Sequence, residues 1–260
     1  MALKFVNITR QEFLSDKLLH KFMSLENALD TLNHKHLWLA NPTTWKDPFE
    51  KRFIEATYID NNGKKRKFAW KDRVFCVCMT ETSTSEAYWN TYSQQSIGIE
   101  LKFRRELLLQ ELERFAQKYN VFIGKVEYMK TSEIKKDISK IPFNPPCQIN
   151  IGSQECKARL LLLKRIAYKY EDEIRIIVVK DRKSAEKGIY LNYNYDNTDV
   201  IDSITLDPSI GPNVQKLLKD TFVQTYGFTP IKSSASSKKP KYRVQKSALY
   251  TEVNPVDIDI

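Results

Sequence analysis

Five consecutive residues late in the chain, Glu171-Asp172-Glu173-Ile174-Arg175, bring together groups suited to proton transfer and charge stabilisation. On an extended chain Glu171, Glu173 and Arg175 share one face, while Ile174, Ile176 and Val178 share the other. Ile177 and Val179 continue the first face as apolar residues. Three charged side chains therefore emerge at one end of a core-forming strand, the pattern of a cleft floor, with the glutamates roughly 7 Å apart. Arg175 would keep a neighbouring carboxylate ionised, because an opposite charge within reach favours the charged form. The plainer reading of the same run is a strand end closed by a structural ion pair.

A second cluster is Tyr88-Trp89-Asn90-Thr91-Tyr92-Ser93. On a helix Trp89 and Tyr92, three apart, share a face that either stacks a planar ring or covers the core. Metal chemistry has less support. Cys76 and Cys78 are two apart, which is not the CxxC spacing of a zinc knuckle, and His20, His34 and His36 match neither HExxH nor a cysteine-paired site. No metal is expected, and the four cysteines, Cys147 and Cys156 included, read as free thiols of a reducing compartment. A metal-dependent nuclease would require Asp47, Glu50, Glu171 and Glu173 to converge.

The formal net charge is +10, and it is concentrated. One cluster is Lys64-Lys65-Arg66-Lys67 with Lys71 and Arg73; the other is Lys238-Lys239-Pro240-Lys241-Tyr242-Arg243. Such clusters attract polyanions, nucleic acid among them, and equally occur as solvated faces. Apolar runs such as Leu160–Leu163 and Ile176–Val179 are far too short to span a bilayer, so no membrane partner is expected. The first residues show no secretory pattern, and the expected location is the cytoplasm.

The elements that must position these groups are legible in outline. Ser24 caps a helix carrying Leu25, Ala28, Leu29 and Leu32, followed by a strand at His36–Ala40. Asp47-Pro48-Phe49-Glu50 reads as a helix start, with Asp47 as N-cap, Pro48 at the first position and Glu50 closing a capping box. Asn61-Asn62-Gly63 marks a hairpin tip between Phe53–Ile59 and Lys67–Trp70. Val74–Met79, apolar on both faces, is a central strand; Glu86–Gln94 is a short helix; Ile97–Phe103 alternates as a half-buried strand. Leu107–Tyr119 is read as a helix, Val121–Tyr128 as one strand, and residues 130–157 as a surface excursion. Ala158–Ile166 is read as a helix leading straight into a strand at Glu173–Val179. Strands at Ile189–Tyr193 and Ile201–Leu206, a helix at Val214–Phe222, a flexible linker at 232–240 and a strand at Tyr242–Ser247 complete the chain. The expectation is a single α+β domain over 1–260 with mixed, mostly antiparallel central sheets flanked by helices. Seven glycines without GxGxxG or GxxxxGK[ST] argue against Rossmann and P-loop folds.

The ordered motifs resemble the DUF2971 family of uncharacterised bacterial proteins. Lys21-Phe22 with Ser24, Leu37-Trp38-Leu39 and Asp47-Pro48-Phe49-Glu50 match its first block. Cys78, Thr80-Glu81, Trp89, Tyr92 and Gly98-Ile99-Glu100 match its central block. Val126-Glu127-Tyr128, Lys164 and Tyr170–Arg175 match its last, so the resemblance spans most of residues 20–206. Phe22, Met23, Lys46 and Asp207 stand where the family usually has Tyr, Arg, Asn and Gly; the missing arginine at 23 weakens a phosphate grip by the first block.

The layout is similar to that of ADP-ribosyltransferases, which implies NAD as substrate and a glutamate that stabilises an oxocarbenium-like sugar. On that resemblance Glu173 is catalytic and Glu171 orients the acceptor. His20 or Lys21, Trp89 and Tyr92, with Asp47 and Arg175, bind NAD. A toxin or phage-defence effector acting on RNA or DNA, restrained by an antitoxin protein, is the implied setting. Lys64, Lys65, Arg66, Lys67, Lys238, Lys239, Lys241 and Arg243 would meet the nucleic acid. The alternative is a non-catalytic nucleic-acid-binding module built from the same basic clusters and aromatic platforms.

Overall fold

The structure, a computed structural model, describes residues 3–45, 47–55, 57–59, 64–67, 71–83, 85–92, 96–134, 154–230, 243–247 and 249. In chain order the strands are β1 (Leu3–Val6), β2 (Leu18–Ser24), β3 (His36–Ala40), β4 (Thr57–Ile59), β5 (Lys65–Lys67), β6 (Val74–Thr80) and β7 (Gly98–Arg104). They continue as β8 (Asn120–Lys125), β9 (Glu127–Met129), β10 (Leu163–Arg165), β11 (Glu173–Val179), β12 (Gly188–Asn192), β13 (Ile201–Leu206) and β14 (Val244–Lys246). The helices are α1 (Arg10–Ser15), α2 (Leu25–His34), α3 (Pro48–Ile54), α4 (Glu86–Tyr92), α5 (Arg105–Phe115), α6 (Thr131–Ile134), α7 (Gln154–Leu160), α8 (Asn197–Val200) and α9 (Pro212–Tyr226).

Ten strands form one open, mostly antiparallel sheet, with main order β1-β8-β11-β6-β2-β7-β13-β14 and a side branch β3-β12. The β-branched run of β11 is buried along its whole length, as suits a central strand covered on both faces. Its alternation follows the sequence pattern. Ile174, Ile176 and Val178 enter the larger core with Phe13, Leu112 and Phe222, while Ile177 and Val179 enter the smaller one with Ala158 and Leu161.

The functionally important irregularity lies at β6. One edge pairs β11 in unbroken register, from Glu173 opposite Thr80 to Val179 opposite Val74. The other edge meets β2 only at His20 opposite Thr80, and β3 only at Ala40 opposite Cys76. Beyond those points β2 runs along β7 and β3 along β12. The sheet therefore forks, and the stretch of β6 between Cys76 and Thr80 faces the gap. Helix α2 joins the two arms of the fork. Ser24 caps it by accepting from the Asn27 N–H at 3.3 Å, and Lys35, in the left-handed region at φ 50°, ends it and turns the chain into β3.

Several boundaries differ from the sequence reading. Strand β7 is buried on both faces rather than half-buried, because the carboxylate of Glu100 is taken inward by His20. Val121–Tyr128 is two strands: Val126 leaves the β8 register and donates to the Glu173 carbonyl at 2.9 Å. The helix expected over Ala158–Ile166 ends at Leu160, and Leu163–Arg165 pairs in parallel with Glu127–Met129 before a 3₁₀ turn over Ile166–Glu171. A run of leucines buried all round carries no period to separate helix from strand. The hairpin exists, with Thr57 opposite Lys67 and Ile59 opposite Lys65, although Pro48–Ile54 is helical. Its tip, most of the expected surface excursion and the linker lie outside the described residues, as do Lys238, Lys239, Lys241 and the side chains of Lys65, Arg66, Lys67 and Tyr92.

Candidate functional site

A cavity of about 610 Å³ fills the fork, a volume that suits a small organic ligand. Its floor is Cys76, Val77 and Cys78 of β6; Lys21, Phe22 and Met23 of β2 form one side, and Leu37, Trp38 and Ala40 of β3 another. Glu171, Glu173, Arg175 and Lys164 meet Asp47 and Glu50 at the end nearest α3. The four carboxylates that a shared site required do line one cavity.

Each side chain there is placed by its element. Asp47 caps α3 by accepting from the Phe49 N–H at 2.9 Å, and Pro48 occupies the first helical position. Glu50 does not turn back to complete a capping box. It reaches across and accepts from Arg175. Asp47 meets Arg165 at 3.2 Å. The guanidinium of Arg175 is buried, with Nε and Nη2 on Glu173 Oε2 at 2.8 and 2.6 Å and Nη1 on the Leu161 carbonyl at 2.6 Å. The Trp45 ring lies 4.6 Å away. Lys164 donates to Glu171 and to Glu173 Oε1, the latter at 3.3 Å.

The two glutamates adjoin by a turn and not by the pleat. Strand β11 begins at Glu173; Glu171 ends the 3₁₀ turn, and Asp172 between them is left-handed at φ 40°. Hydroxyls fix this kink. Thr80 and Tyr88 donate to the Glu171 carbonyl at 2.6 and 2.7 Å, and the Glu173 N–H donates to the Tyr128 oxygen at 3.0 Å.

Their protonation is split. Burial, together with the charge on Glu173, pushes the Glu171 carboxyl up to about 7. Burial also acts to raise Glu173, but Arg175 and Lys164 outweigh it and bring that carboxyl down to about 2. Two adjoining carboxyls driven apart in this way are equipped for different roles, one a fixed charge and one a proton carrier.

Lys21 faces the same cavity, and among the described residues its ammonium has no hydrogen-bond or ion-pair partner. Burial lowers its pKa, and the nearby Glu173 acts in the opposite sense. Cys78 is kept as a thiol, since burial pushes it up to about 12.

His20 lies away from the cavity: it is buried, with Nδ1 on Glu100 at 2.7 Å. Trp89 is also buried, packing edge-on against Phe22, and does not line the cavity. Its neighbour Tyr88 occupies the cavity wall, stacked on Phe22 with centroids 4.8 Å apart and planes 5° apart. Arg243 is buried too, with its guanidinium on the carbonyls of Thr198, Ile201 and Asp202, whereas Lys64 is exposed.

Sequence reasoning used Lys164 only as a pattern match and gave Tyr88 no role beyond membership of the aromatic run, although both line the cavity. A lysine within a leucine run and an aromatic next to Trp89 were the available signals. For a metal, the geometry of the carboxylate cluster is unfavourable, because Lys164, Arg165 and Arg175 already sit on its oxygens. The described His and acidic side chains that could hold an ion together are instead Asp30, His34 and His36.

No curated protein and no solved structure matches the chain. Residues 88–176, which carry Tyr88, Lys164 and the Glu171–Arg175 run but not the first motif block, match the model of the DUF2971 family, described as a protein of unknown function.

Proposed function

We propose that the protein cleaves and transfers at an N-glycosidic bond, as an NAD-dependent ADP-ribosyltransferase-like enzyme. The observation that carries this reading is the pair Glu171 and Glu173, adjoining in one cavity with their protonation driven in opposite directions. When the bond from C1′ of the ribose to the nicotinamide nitrogen breaks, nicotinamide leaves with the electron pair and positive charge develops on the sugar. Glu173, ionised and held rigid by Arg175 and Lys164, supplies preorganised opposite charge there. The acceptor hydroxyl then bonds to C1′ and gives its proton to Glu171, whose pKa near 7 suits a general base. Lys21 offers the unpaired cation that a phosphate-bearing substrate would meet.

Incubation with NAD labelled in the nicotinamide ring, with and without RNA, DNA and protein acceptors, tests the proposal. Nicotinamide release is expected from the wild type and is expected to fall at least about a hundredfold in Glu173→Gln, the scale of losing one preorganised electrostatic group. Absence of release under every acceptor condition, or release unaffected by Glu173→Gln, sinks it.

A further inference from the structure

Where the described surface leaves large aromatic side chains exposed, it does so at this cavity. Trp38, Tyr170 and Tyr190 are 42, 50 and 50% exposed, and all three line its wall. Trp38 and Tyr190 lie directly opposite each other on β3 and β12, with ring centroids 4.7 Å apart. Their placement is built. A side chain at Gly188 would put its Cβ 2.1 Å from the Trp38 ring, so the glycine is what allows the indole to lie across the neighbouring strand. Tyr190 is backed at 4.1 Å by the ring of His36, which is itself stacked on His34 at 5.2 Å. Asp30 holds His36 Nε2 at 2.8 Å. Beside this ladder the Asn27 side chain lines the cavity, and among the described residues its amide is unpartnered.

We propose that Trp38 and Tyr190 form a stacking platform for a nucleobase at the cavity mouth, with the Asn27 amide reading the base edge. Every base offers a π face to an aromatic ring, and an amide can both donate to and accept from a base edge. Planarity with edge polarity is the chemistry that a rigid ring ladder beside a free amide recognises. The site extends the reading above by naming what lies beyond the scissile ribose: the adenine of a dinucleotide, or an unpaired base of a nucleic-acid acceptor.

Binding of AMP, of a short single-stranded oligodeoxyadenylate and of ribose 5-phosphate to the full chain, followed by calorimetry and tryptophan quenching, tests it. AMP has no nicotinamide to lose, so its binding and the cleavage assay succeed or fail independently. AMP or the oligonucleotide is expected to bind, and the ligand that does identifies the source. Trp38→Ala and Tyr190→Ala each weaken binding by about fivefold or more, the scale of one lost stacking contact. Trp38→Phe restores most of it, and Gly188→Ala, which keeps the indole but displaces it, weakens it. The proposal is overturned if neither nucleotide ligand binds, if ribose 5-phosphate binds as tightly as AMP, or if well-folded Trp38→Ala and Tyr190→Ala keep wild-type affinity.

Discussion

At the scale of single residues the question is which carboxyl holds charge and which moves a proton. Glu173 is enclosed by Arg175 and Lys164, so removing its charge would leave two buried cations less than fully paired, a costly state in a low-dielectric interior. Arg175, with four of its five N–H donors on Glu173, Glu50 and a backbone carbonyl, supports the site and keeps a single Nη1 hydrogen outside these bonds. Glu171 is the group able to titrate, with its carboxyl raised to about 7 by burial and by Glu173. If it takes the acceptor proton, ADP-ribosyl transfer to the acceptor rises with pH through about 7 as Glu171 ionises, and Glu171→Gln flattens that limb. The same shift has a stability sign. A folded-state carboxyl raised above its ordinary 4.5 binds its proton more tightly than in the unfolded chain. Its contribution is therefore fully present below about 4.5 and is lost as pH rises toward 7, so thermal melts of Glu171→Gln across that window should show a smaller decline than the wild type. A pH–rate profile unchanged by Glu171→Gln would assign the proton to another group. The charged run itself was legible in the sequence, as was its ambiguity. The partner Lys164 was visible as a lone lysine after a leucine run, but its contact was not, since nothing in that run announces that the lysine turns inward onto two glutamates.

At the scale of elements, alternation along β11 correctly separated Glu173 and Arg175 from Ile174, Ile176 and Val178. It placed Glu171 beside Glu173 for the wrong reason. A pleat would align them on one face, but the chain instead kinks at Asp172 in the left-handed region, and Lys164 gathers both carboxylates. Short polar side chains tolerate that conformation, and nothing in a single sequence distinguishes such a kink from one more extended residue. Asp172→Val is expected to cost roughly 1–2 kcal/mol, because a β-branched residue resists the left-handed region. It should also abolish the pH limb near 7 by separating the carboxyls. Asp172→Gly keeps the turn and should keep the limb, losing only the exposed contact with Lys125 at 3.3 Å. Denaturant melts read the first effect and pH–rate profiles the second; equal behaviour of the two variants would show that the kink does not set the pair. The reading of α4 meets a related limit. Spacing of three left Trp89 either stacking a ring or covering the core; it is buried, while its neighbour Tyr88 lines the cavity, because which face of a helix meets a cavity depends on the fork behind it.

At the scale of the whole molecule the fork in the sheet makes the site, and it was not legible, because it arises from where two strands stop pairing with a third. Strand content and the antiparallel bias were readable; the divergence of β2 and β3 from β6 is a tertiary event. Net charge is the other global property, and here sequence and structure divide the work. Arg243 is withdrawn into the interior on three backbone carbonyls, whereas Lys238, Lys239 and Lys241 belong to a run whose composition alone places three positive charges within four residues. If a nucleic acid is the acceptor, its backbone should be held by such lysines while the chemistry stays in the fork. Each neutralised phosphate contact on a single strand contributes about 0.7 to the slope of log K against log salt. Replacing the three lysines by glutamine should therefore lower the slope for single-stranded oligonucleotide binding by up to about 2, without changing AMP affinity at low salt. Glu173→Gln should do the reverse of this, leaving the slope intact while removing transfer. Fluorescence anisotropy across a salt series separates the cases. If the triple substitution leaves the slope unaltered, the tail has no part in acceptor binding, and the acceptor must be sought among molecules small enough to enter the cavity.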